Sequence, residues 1–297
     1  MSSTRAPFSG SAVALVTPFH DGAIDWQRFT ALIEEQIAGG AAALIPCGSS
    51  GEAATLSHDE HTEVVRFVVE HARGRVPVIA GTGSNSTAEA IRLTRDAQRV
   101  GAVGALLISP YYNRPSQEGL VRHYRAVADA VELPLLLYNI PVRTASRIEA
   151  ETIARLAEHP NIVGLKESDA IDHTLDVFRL AGDRLAVYAG DDAVTFTVMA
   201  LGGAGVISTI ANLVPEEMTA LAAACAAGDW ERGRALQFRL LPLIRACFTE
   251  TNPIPLKHAL ALLGICEDEV RLPLTPLRDE AKRTALARAL RDLGRLR

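Results

Sequence analysis

Short apolar runs alternate with longer segments of helical periodicity along most of the chain. The apolar runs are continuous, and continuous runs are typical of parallel strands that are buried on both faces. Each run is followed by a segment whose apolar residues recur three or four positions apart, which predicts a helix. The eight predicted strands are residues 13–16, 43–45, 76–80, 104–108, 134–138, 162–165, 185–188 and 204–207.

Capping signals place the beginnings of three of the helices. Asp25 directly precedes the apolar face of the first helix and is its predicted N-cap. Ser57 followed by Glu60, and Ser86 followed by Glu89, each fit a capping box, in which the serine and the glutamate bond reciprocally to free backbone N–H groups. We therefore expect helices to begin just after residues 25, 57 and 86.

Eight strand–helix units predict an α/β fold, a (β/α)8 TIM barrel, over residues 1–227. No strand pattern follows, and helices are predicted over residues 230–248, 255–263 and 276–297. These form a predicted C-terminal helical extension, residues 228–297. A doubly wound open sheet is the alternative, but the chain lacks the G-x-G-x-x-G fingerprint of its dinucleotide-binding members.

Composition excludes several classes of partner. The chain has 297 residues with a net charge of -5, and it contains no basic block of the kind that binds nucleic acid. No run of roughly 18 apolar residues predicts a membrane span. The four cysteines form no CxxC pair, and residues 1–10 lack the apolar run of a signal peptide, so a cytoplasmic protein with reduced thiols is expected.

A lysine ends the sixth predicted strand. Lys166 directly follows the apolar residues 162–165, at the end of the strand where barrels place their active sites. Burial disfavours an ammonium ion, and a neutral amine can attack a carbonyl carbon to form a Schiff base. Taken alone, the stretch favours a lysine that points into solvent. The residues that follow the other strands decide between the two interpretations.

Hydroxyl groups follow the second and fourth strands. Ser49 and Ser50 lie between glycines, where hydroxyl and backbone N–H groups can face a ligand carboxylate, although an ordinary turn has the same composition. Tyr111 and Tyr112 are adjacent aromatic residues in a chain with only 5% aromatic content. A phenol can transfer a proton, and tyrosines also anchor subunit contacts, so we expect both roles.

The fifth strand supplies an acid/base group and a carboxylate clamp. Tyr138 ends this strand, and Arg143 follows five residues later, where a guanidinium can pair bidentately with a carboxylate. With Lys166, these residues predict a Schiff-base aldolase that acts on a 2-oxo acid. The amine condenses with the keto group, and the iminium accepts electrons as the neighbouring carbon loses a proton. The resulting enamine then attacks an aldehyde.

Three other interpretations of the sequence stay open at this point. Residues 202–206 are glycine-rich, like a phosphate loop of a pyridoxal phosphate or sugar-phosphate enzyme, but no phosphate-binding Lys/Ser pair accompanies them. Asp191 with Asp192, or His58 with His61, could serve a metal-dependent aldolase, but no third ligand stands out. A non-enzymatic ligand-sensing barrel would not need a lysine at its strand end.

Five motifs resemble those of the dihydrodipicolinate synthase / N-acetylneuraminate lyase family, and together they span nearly the whole chain. The motifs are Gly48-Ser49-Ser50-Gly51-Glu52, Tyr111-Tyr112-Asn113-Arg114-Pro115, Tyr138-Asn139-Ile140-Pro141-Val142-Arg143-Thr144, Gly164-Leu165-Lys166-Glu167 and Thr251-Asn252-Pro253-Ile254-Pro255-Leu256-Lys257. Arg143 favours the synthase branch, since the lyases usually lack that arginine. The resemblance implies condensation of pyruvate with L-aspartate 4-semialdehyde, the first committed step of lysine biosynthesis.

The resemblance also assigns catalytic roles by analogy. Lys166 is implied to form the Schiff base with pyruvate, with no further cofactor and no metal. Tyr138 is implied to be the acid/base group beside it. Ser49 and Tyr112 are implied to complete a proton relay, with Tyr112 reaching in from a neighbouring subunit. The family is commonly a homotetramer built as a dimer of dimers, and the same assembly is expected here.

Four further positions are implied to bind the substrates. Ser50 and its backbone hold the pyruvate carboxylate, Arg143 holds the carboxylate of the semialdehyde, and Gly190 and Ile207 line the pocket. The family usually has Gly-Thr-Thr-Gly-Glu where this chain has two serines, and serine has more rotamer freedom than β-branched threonine. N-acetylneuraminate, 2-keto-3-deoxy sugar acids and a catalytically silent barrel therefore remain alternatives.

The family also has a feedback site for L-lysine at its tight dimer interface. A carboxylate, an amide and two histidines among the matching positions suit a zwitterionic amino acid. Ala53 stands where the family often has serine, so we expect lysine inhibition that is weakened by one hydrogen bond. The matching positions are Ala53, Ala54, His58, His61, Asn85, Glu89 and Tyr111.

Overall fold

Ten strands are present in the computed structural model, which describes residues 6–296. They are β1 (Gly10–Ala14), β2 (Phe19–His20), β3 (Ala23–Ile24), β4 (Ala43–Ile45), β5 (Ile79–Gly81), β6 (Gly104–Ile108), β7 (Leu135–Asn139), β8 (Ile162–Glu167), β9 (Ala186–Ala189) and β10 (Gly205–Ser208). Predictions that concern residues 1–5 and 297 lie outside the described residues.

Eight of these strands form one parallel sheet that closes into a barrel. Their order is β4-β1-β10-β9-β8-β7-β6-β5, while β2 and β3 pair separately as a hairpin. A parallel bridge between Leu44 and Val78 joins the two outermost strands of that order, and Leu44 N donates to Pro77 O at 3.0 Å. The predicted (β/α)8 barrel is therefore confirmed.

Helices follow each barrel strand and continue beyond the last one. They are α1 (Trp26–Ala38), α2 (His58–Ala72), α3 (Thr87–Arg99), α4 (Gln117–Asp129), α5 (Pro141–Thr144), α6 (Ala150–Leu156), α7 (Ile171–Ala181), α8 (Thr195–Ala200), α9 (Pro215–Ala226), α10 (Trp230–Cys247), α11 (Ile254–Leu262) and α12 (Glu280–Asp292). Across residues 6–296, none of the helices combines the length and the apolar character needed to cross a bilayer.

All three predicted helix starts are confirmed, at Trp26, His58 and Thr87, but one of the predicted caps is not. Asp25 caps α1 by accepting from Arg28 N at 3.0 Å, and Ser57 with Glu60 forms the predicted capping box of α2. The capping box predicted at Ser86 is wrong, because the Ser86 side chain accepts no cap hydrogen bond. The carboxylate of Glu89 is bonded to other side chains, which are described below.

The barrel interior is filled from the end where β1 begins. Phe8 precedes β1 and stacks on Tyr188 with ring centroids 4.3 Å apart, and the Tyr188 hydroxyl donates to Phe8 O at 2.6 Å. Small residues, including Ala12, Ala14 and Ala43, occupy the same interior cluster. This packing closes one end of the barrel, so the open space lies at the carboxyl ends of the strands.

The last three helices pack on one side of the barrel. α10 contacts α9 and α12, and α11 contacts α12. The segment between α10 and α11 reaches the carboxyl ends of the strands, where Thr251 and Asn252 line a cavity. The helices of the predicted extension are thus confirmed, whereas its division from the barrel at residue 228 stays a prediction.

Candidate active site

Lys166 lies inside the barrel near the carboxyl end of β8. Its strand neighbours in register are Tyr138 on β7 and Tyr188 on β9. The side chain is 5% exposed, and Lys166 Nζ lies 4.3 Å from the centroid of the Tyr138 ring. The interpretation in which this lysine points into bulk solvent is therefore wrong.

Lys166 differs from the other two lysines of the sequence in having no acidic partner. Lys257 Nζ lies 2.6 Å from Glu52 Oε1, and Lys282 Nζ lies 2.8 Å from Glu250 Oε1. Within residues 6–296, Lys166 takes part in no such ion pair. An amine without a carboxylate partner keeps its lone pair available to a carbonyl ligand once it is deprotonated.

A cavity of about 740 Å³ opens above Lys166. Its wall brings together six of the residues predicted from the sequence, although they lie at or follow the ends of four different strands, β4, β7, β8 and β9. A few polar groups that converge on one amine in an otherwise largely apolar cavity suit a small carboxylate substrate. The six residues are Ser49, Ser50, Tyr138, Arg143, Lys166 and Gly190.

Two predicted residues are not part of this wall. Ile207 on β10 is fully buried and packs with Tyr138 in the interior cluster of the barrel. Tyr112 is 89% exposed, has a φ of 72° and does not line the cavity of its own chain. Within the single described chain, the site therefore lacks the second phenol that the predicted proton relay contains.

A tight turn presents the two serines at the cavity. Gly51 N donates to Gly48 O at 3.1 Å, and Glu52 N donates to Ser49 O at 3.2 Å. A Cβ at Gly51 would lie 3.0 Å from Leu15 O, which explains the glycine at that position. Both hydroxyl-bearing residues are thereby held on the cavity side of the turn.

Gly190 gives Lys166 the room that it occupies. A Cβ at this position would lie 3.0 Å from Lys166 Cγ and 2.1 Å from Ser168 Oγ. Any larger residue would displace the lysine side chain from the cavity floor. The predicted pocket role of Gly190 thus has a steric basis in the packing around Lys166.

The helical tail supplies a residue of the site that sequence reasoning did not assign. Asn252 Nδ2 donates to Ser50 Oγ at 2.9 Å, and Arg143 Nη2 donates to Asn252 O at 3.1 Å. The motif that begins at Thr251 carried the resemblance, but nothing in its composition indicated contact with the serine turn. Asn252 is separated from Ser50 by 202 positions, so only the folded chain brings them together.

A buried ion pair fastens the same tail to the serine turn. Glu52 and Lys257 are both inaccessible to solvent, and Glu52 Oε2 also accepts from Arg271 N at 2.9 Å. Lys257 Nζ further donates to Glu269 O at 2.8 Å and lies 4.0 Å from the centroid of the Phe19 ring. These contacts fix the turn relative to α11.

A polar network lies behind Lys166, on the outer face of the barrel. Asn139 Nδ2 donates to Glu167 Oε1 at 3.0 Å, and Asp169 N donates to the same oxygen at 2.8 Å. Burial lowers the pKa of His173, but the carboxylates of Glu167 and Asp169 outweigh burial and raise it. This network holds the strand ends that carry Tyr138 and Lys166.

The network is also the one group of potential metal ligands found within residues 6–296, namely Glu167, Asp169 and His173. Arg147 Nε lies 2.6 Å from Asp169 Oδ2, so a guanidinium already occupies the place of a cation. The alternative pair Asp191–Asp192 is likewise engaged, because Asp192 Oδ2 accepts from Thr209 N at 3.0 Å. The donor sets therefore fit hydrogen bonding better than metal binding.

A second cavity of about 560 Å³ holds most of the predicted lysine-binding positions. His58 Nε2 lies 2.7 Å from Glu89 Oε1, and Ser84 donates to the same carboxylate. These two contacts lower the pKa of Glu89. Of the seven predicted positions, Ala53, Ala54, His58, His61, Glu89 and Tyr111 line this cavity.

Asn85 and His61 complete the description of the predicted effector positions. Asn85 is not part of the cavity wall, and its carbonyl accepts from Asn113 Nδ2 at 2.8 Å. His61 Nε2 lies 2.7 Å from Gly81 O, and burial lowers the pKa of this histidine. The two cavities share part of their walls, including Ser49, Tyr138, Arg143 and Asn252.

Comparisons with known proteins agree with this geometry. The model of the dihydrodipicolinate synthetase family matches residues 7–293. A protein of Pelobacter propionicus named 4-hydroxy-tetrahydrodipicolinate synthase is 50% identical over 288 residues, which cover 97% of this chain and 99% of that protein.

Two solved structures superimpose over nearly their full length. The chloride-inhibited dihydrodipicolinate synthase of Acinetobacter baumannii, complexed with pyruvate, has a TM-score of 0.95 and 44% identity, covering 97% of this chain and 99% of its own. The enzyme of Cyanidioschyzon merolae with lysine bound has a TM-score of 0.94 and 39% identity, covering 98% and 99%. The chain described here belongs to the dihydrodipicolinate synthetase family.

Proposed function

We propose that Lys166 forms a Schiff base with pyruvate and that the enamine derived from it condenses with L-aspartate 4-semialdehyde. The enzyme is a lyase of the 4-hydroxy-tetrahydrodipicolinate synthase type, as its relatives are named. The observation that carries the chemical proposal is the unpaired, buried amine on the floor of a cavity where a few polar groups converge. The iminium itself is the electron sink, so the reaction needs no external cofactor.

The proposed reaction passes through an iminium and an enamine to a cyclic product. The Lys166 amine adds to the keto carbon of pyruvate, and loss of water gives the iminium. The methyl carbon loses a proton to give the enamine, which forms a carbon–carbon bond with the aldehyde, and the resulting alkoxide takes up a proton. The α-amino group of the acceptor then attacks the iminium carbon, which closes the ring and releases the lysine amine.

Tyr138 is the proposed acid/base group for these proton transfers. The Tyr138 ring lies against Lys166 Nζ, and Tyr138 lines the cavity together with Ser49. We propose that Ser49 and Tyr112 extend a proton relay from Tyr138 toward solvent, as the family resemblance implies. The high exposure of Tyr112 supports a role in the site of a neighbouring subunit, within a homotetramer built as a dimer of dimers.

The substrate carboxylates have separate proposed partners. Ser50 and the backbone of its turn hold the pyruvate carboxylate beside Lys166. Arg143 lies toward the mouth of the cavity and holds the carboxylate of the semialdehyde, because guanidinium and carboxylate pair bidentately. Gly190 keeps the floor open for pyruvate, whereas Ile207, which was expected to line the pocket, lies in the same buried cluster as Tyr138.

Borohydride trapping tests the Schiff base. Intact mass after reduction in the presence of pyruvate is expected to show one pyruvyl adduct on the wild-type chain and none on Lys166→Ala. Lys282→Ala is the matched control, since it removes a lysine outside the cavity and should keep the adduct. Absence of an adduct on the wild-type chain would overturn the aldolase chemistry in favour of a silent or sensing barrel.

L-Lysine is the proposed effector of the second cavity. Glu89 can bind the ammonium groups of the amino acid, and His58 lies beside that carboxylate. Calorimetric titration with L-lysine to millimolar concentration is expected to release heat, and Glu89→Gln is expected to abolish it. A wild-type protein that gives no heat under these conditions would remove the proposal.

A cytoplasmic location is also proposed for this protein, in keeping with its four free, buried cysteines.

A further inference from the structure

Asn252 contacts both of the groups proposed to hold substrate carboxylates. Its side-chain nitrogen donates to Ser50 Oγ at 2.9 Å, and its backbone oxygen accepts from Arg143 at 3.1 Å. The residue is only 5% exposed, so its hydrogen bond to the serine is protected from bulk water. Asn252 therefore lies between the serine turn and Arg143, with its side chain bonded to the turn and its backbone bonded to the arginine.

The direction of the hydrogen bond determines what the serine can do. A hydroxyl group has one hydrogen and two acceptor lone pairs. Because the Asn252 amide occupies a lone pair of Ser50 Oγ, the serine hydrogen is left for another acceptor. Ser50 lines the cavity above Lys166, so a ligand carboxylate entering that cavity meets a hydroxyl donor.

We propose that Asn252 is a positioning residue for the 2-oxo acid, because it directs the hydroxyl hydrogen of Ser50 toward the substrate carboxylate. The inference rests on the proposed function, in which Ser50 holds pyruvate. The buried Glu52–Lys257 pair keeps the asparagine in place, since it ties the serine turn to the helix that follows Asn252. The helical tail is thus part of the active site.

A mutation of the Asn252 side chain removes one of its two contacts and keeps the other. Replacing the side chain removes the donor to Ser50 but leaves the backbone oxygen that Arg143 contacts. The proposal therefore predicts an effect on the pyruvate KM and little effect on the KM of the aldehyde. General damage to the cavity would raise both constants.

Asn252→Ala and Asn252→Asp distinguish positioning from packing. Alanine removes the donor, and the pyruvate KM is expected to rise about tenfold, the effect of one lost hydrogen bond near a charge. Aspartate keeps the shape of asparagine, but its carboxylate accepts the serine hydrogen and repels the substrate anion. The rise is therefore expected to be larger, about a hundredfold. A packing role predicts the reverse order, with aspartate closer to wild type.

Asn161→Asp is the matched control. The Asn161 amide donates to Ala128 O and Val131 O at the start of β8, at the opposite end of the strand from Lys166. This variant is expected to lose stability without a change in the pyruvate KM. If Asn252→Asp does not fold, the double variant Ser50→Ala with Asn252→Ala is measured instead. Its pyruvate KM should equal that of Ser50→Ala alone, because Asn252 acts only through the serine hydroxyl.

The outcomes separate this inference from the proposed function. A wild-type chain that borohydride and pyruvate do not modify overturns the proposed function. A wild-type chain that is modified, together with an Asn252→Asp variant of wild-type pyruvate KM, overturns the positioning role alone. Additive effects of Asn252→Ala and Ser50→Ala on the pyruvate KM would also overturn it.

Discussion

Tyr138 is the residue on which the proposed proton transfers depend. Its hydroxyl shares the cavity with Lys166, whereas Tyr188, the other register neighbour of the lysine, donates to Phe8 O and is unavailable. Tyr138→Phe is expected to lower kcat about a hundredfold to ten-thousandfold, the usual contribution of a general acid/base. The pyruvate KM should change little, because the carboxylate contacts remain.

Steady-state kinetics with both substrates test this prediction. The pyruvyl adduct should still form in Tyr138→Phe, only more slowly, because Lys166 is intact. A variant with wild-type kcat would show that the proton passes through another group. Tyr124→Phe is a suitable control, since that phenol is fully buried between the barrel and α4.

At the scale of elements, the ion pair between the serine turn and α11 is the contact whose loss we expect to be most costly. Lys257→Met would leave the Glu52 carboxylate buried without its cation, and such losses typically cost about 3–5 kcal/mol. Lys282→Met removes a half-buried pair at the tail surface and should cost about 1 kcal/mol or less.

Urea unfolding of the two variants compares these free energies directly. The double variant Glu52→Gln with Lys257→Met should recover part of the loss, because it removes the stranded charge. Equal stability of Lys257→Met and Lys282→Met would contradict the structural role of the buried pair.

Element order was predictable from the sequence, because each barrel strand is a continuous apolar run followed by a helical segment. Strand ends were less predictable. The predicted strand at residues 76–80 begins only at Ile79, since Pro77 offers no N–H to a ladder. Ser86 is the N-cap residue of α3, but its side chain makes no cap hydrogen bond, and Glu89 bonds instead to nearby Ser84 and to His58 on α2. The contact between the two helices is not encoded in the local pattern. The contact between Asn252 and Ser50 was also not predictable from a local pattern, because the two residues are 202 positions apart.

At the scale of the whole molecule, the exposed Tyr112 leads to a prediction about assembly. If Tyr112 acts in the site of a neighbour, Tyr112→Phe and Lys166→Ala chains should complement each other in mixed oligomers. A hybrid dimer then has one complete site, so co-expressed chains should recover roughly a quarter of wild-type activity with random pairing. Each variant alone should be nearly inactive.

Activity of the co-purified hybrid, with its oligomeric state measured in parallel, tests this arrangement. Full activity of Tyr112→Phe alone would remove the tyrosine from the relay. A hybrid that assembles but gains no activity would place the site within one chain.

His123 makes the stability of the fold depend on pH. It lies on the buried face of α4, and burial lowers its pKa to about 4. A histidine whose pKa is lowered by folding contributes stability that is present above its unfolded value near 6.5 and is lost as the pH falls toward 4. The total loss is about 3 kcal/mol at most, at roughly 1.4 kcal/mol per pKa unit.

Urea unfolding between pH 7 and pH 4 measures this loss. His123→Gln should flatten the pH dependence, because the variant has no imidazole at this buried position. An unchanged slope in His123→Gln would assign the acid sensitivity to other groups.

The most direct test of the central claim is the rate at which the purified enzyme condenses pyruvate with L-aspartate 4-semialdehyde. We predict turnover that saturates in both substrates and falls at least about a thousandfold in Lys166→Ala, as expected when a covalent nucleophile is lost. A wild-type enzyme that forms the pyruvyl adduct but gives no turnover with the semialdehyde would contradict the acceptor. N-acetylneuraminate and 2-keto-3-deoxy sugar acids would then be the substrates to assay.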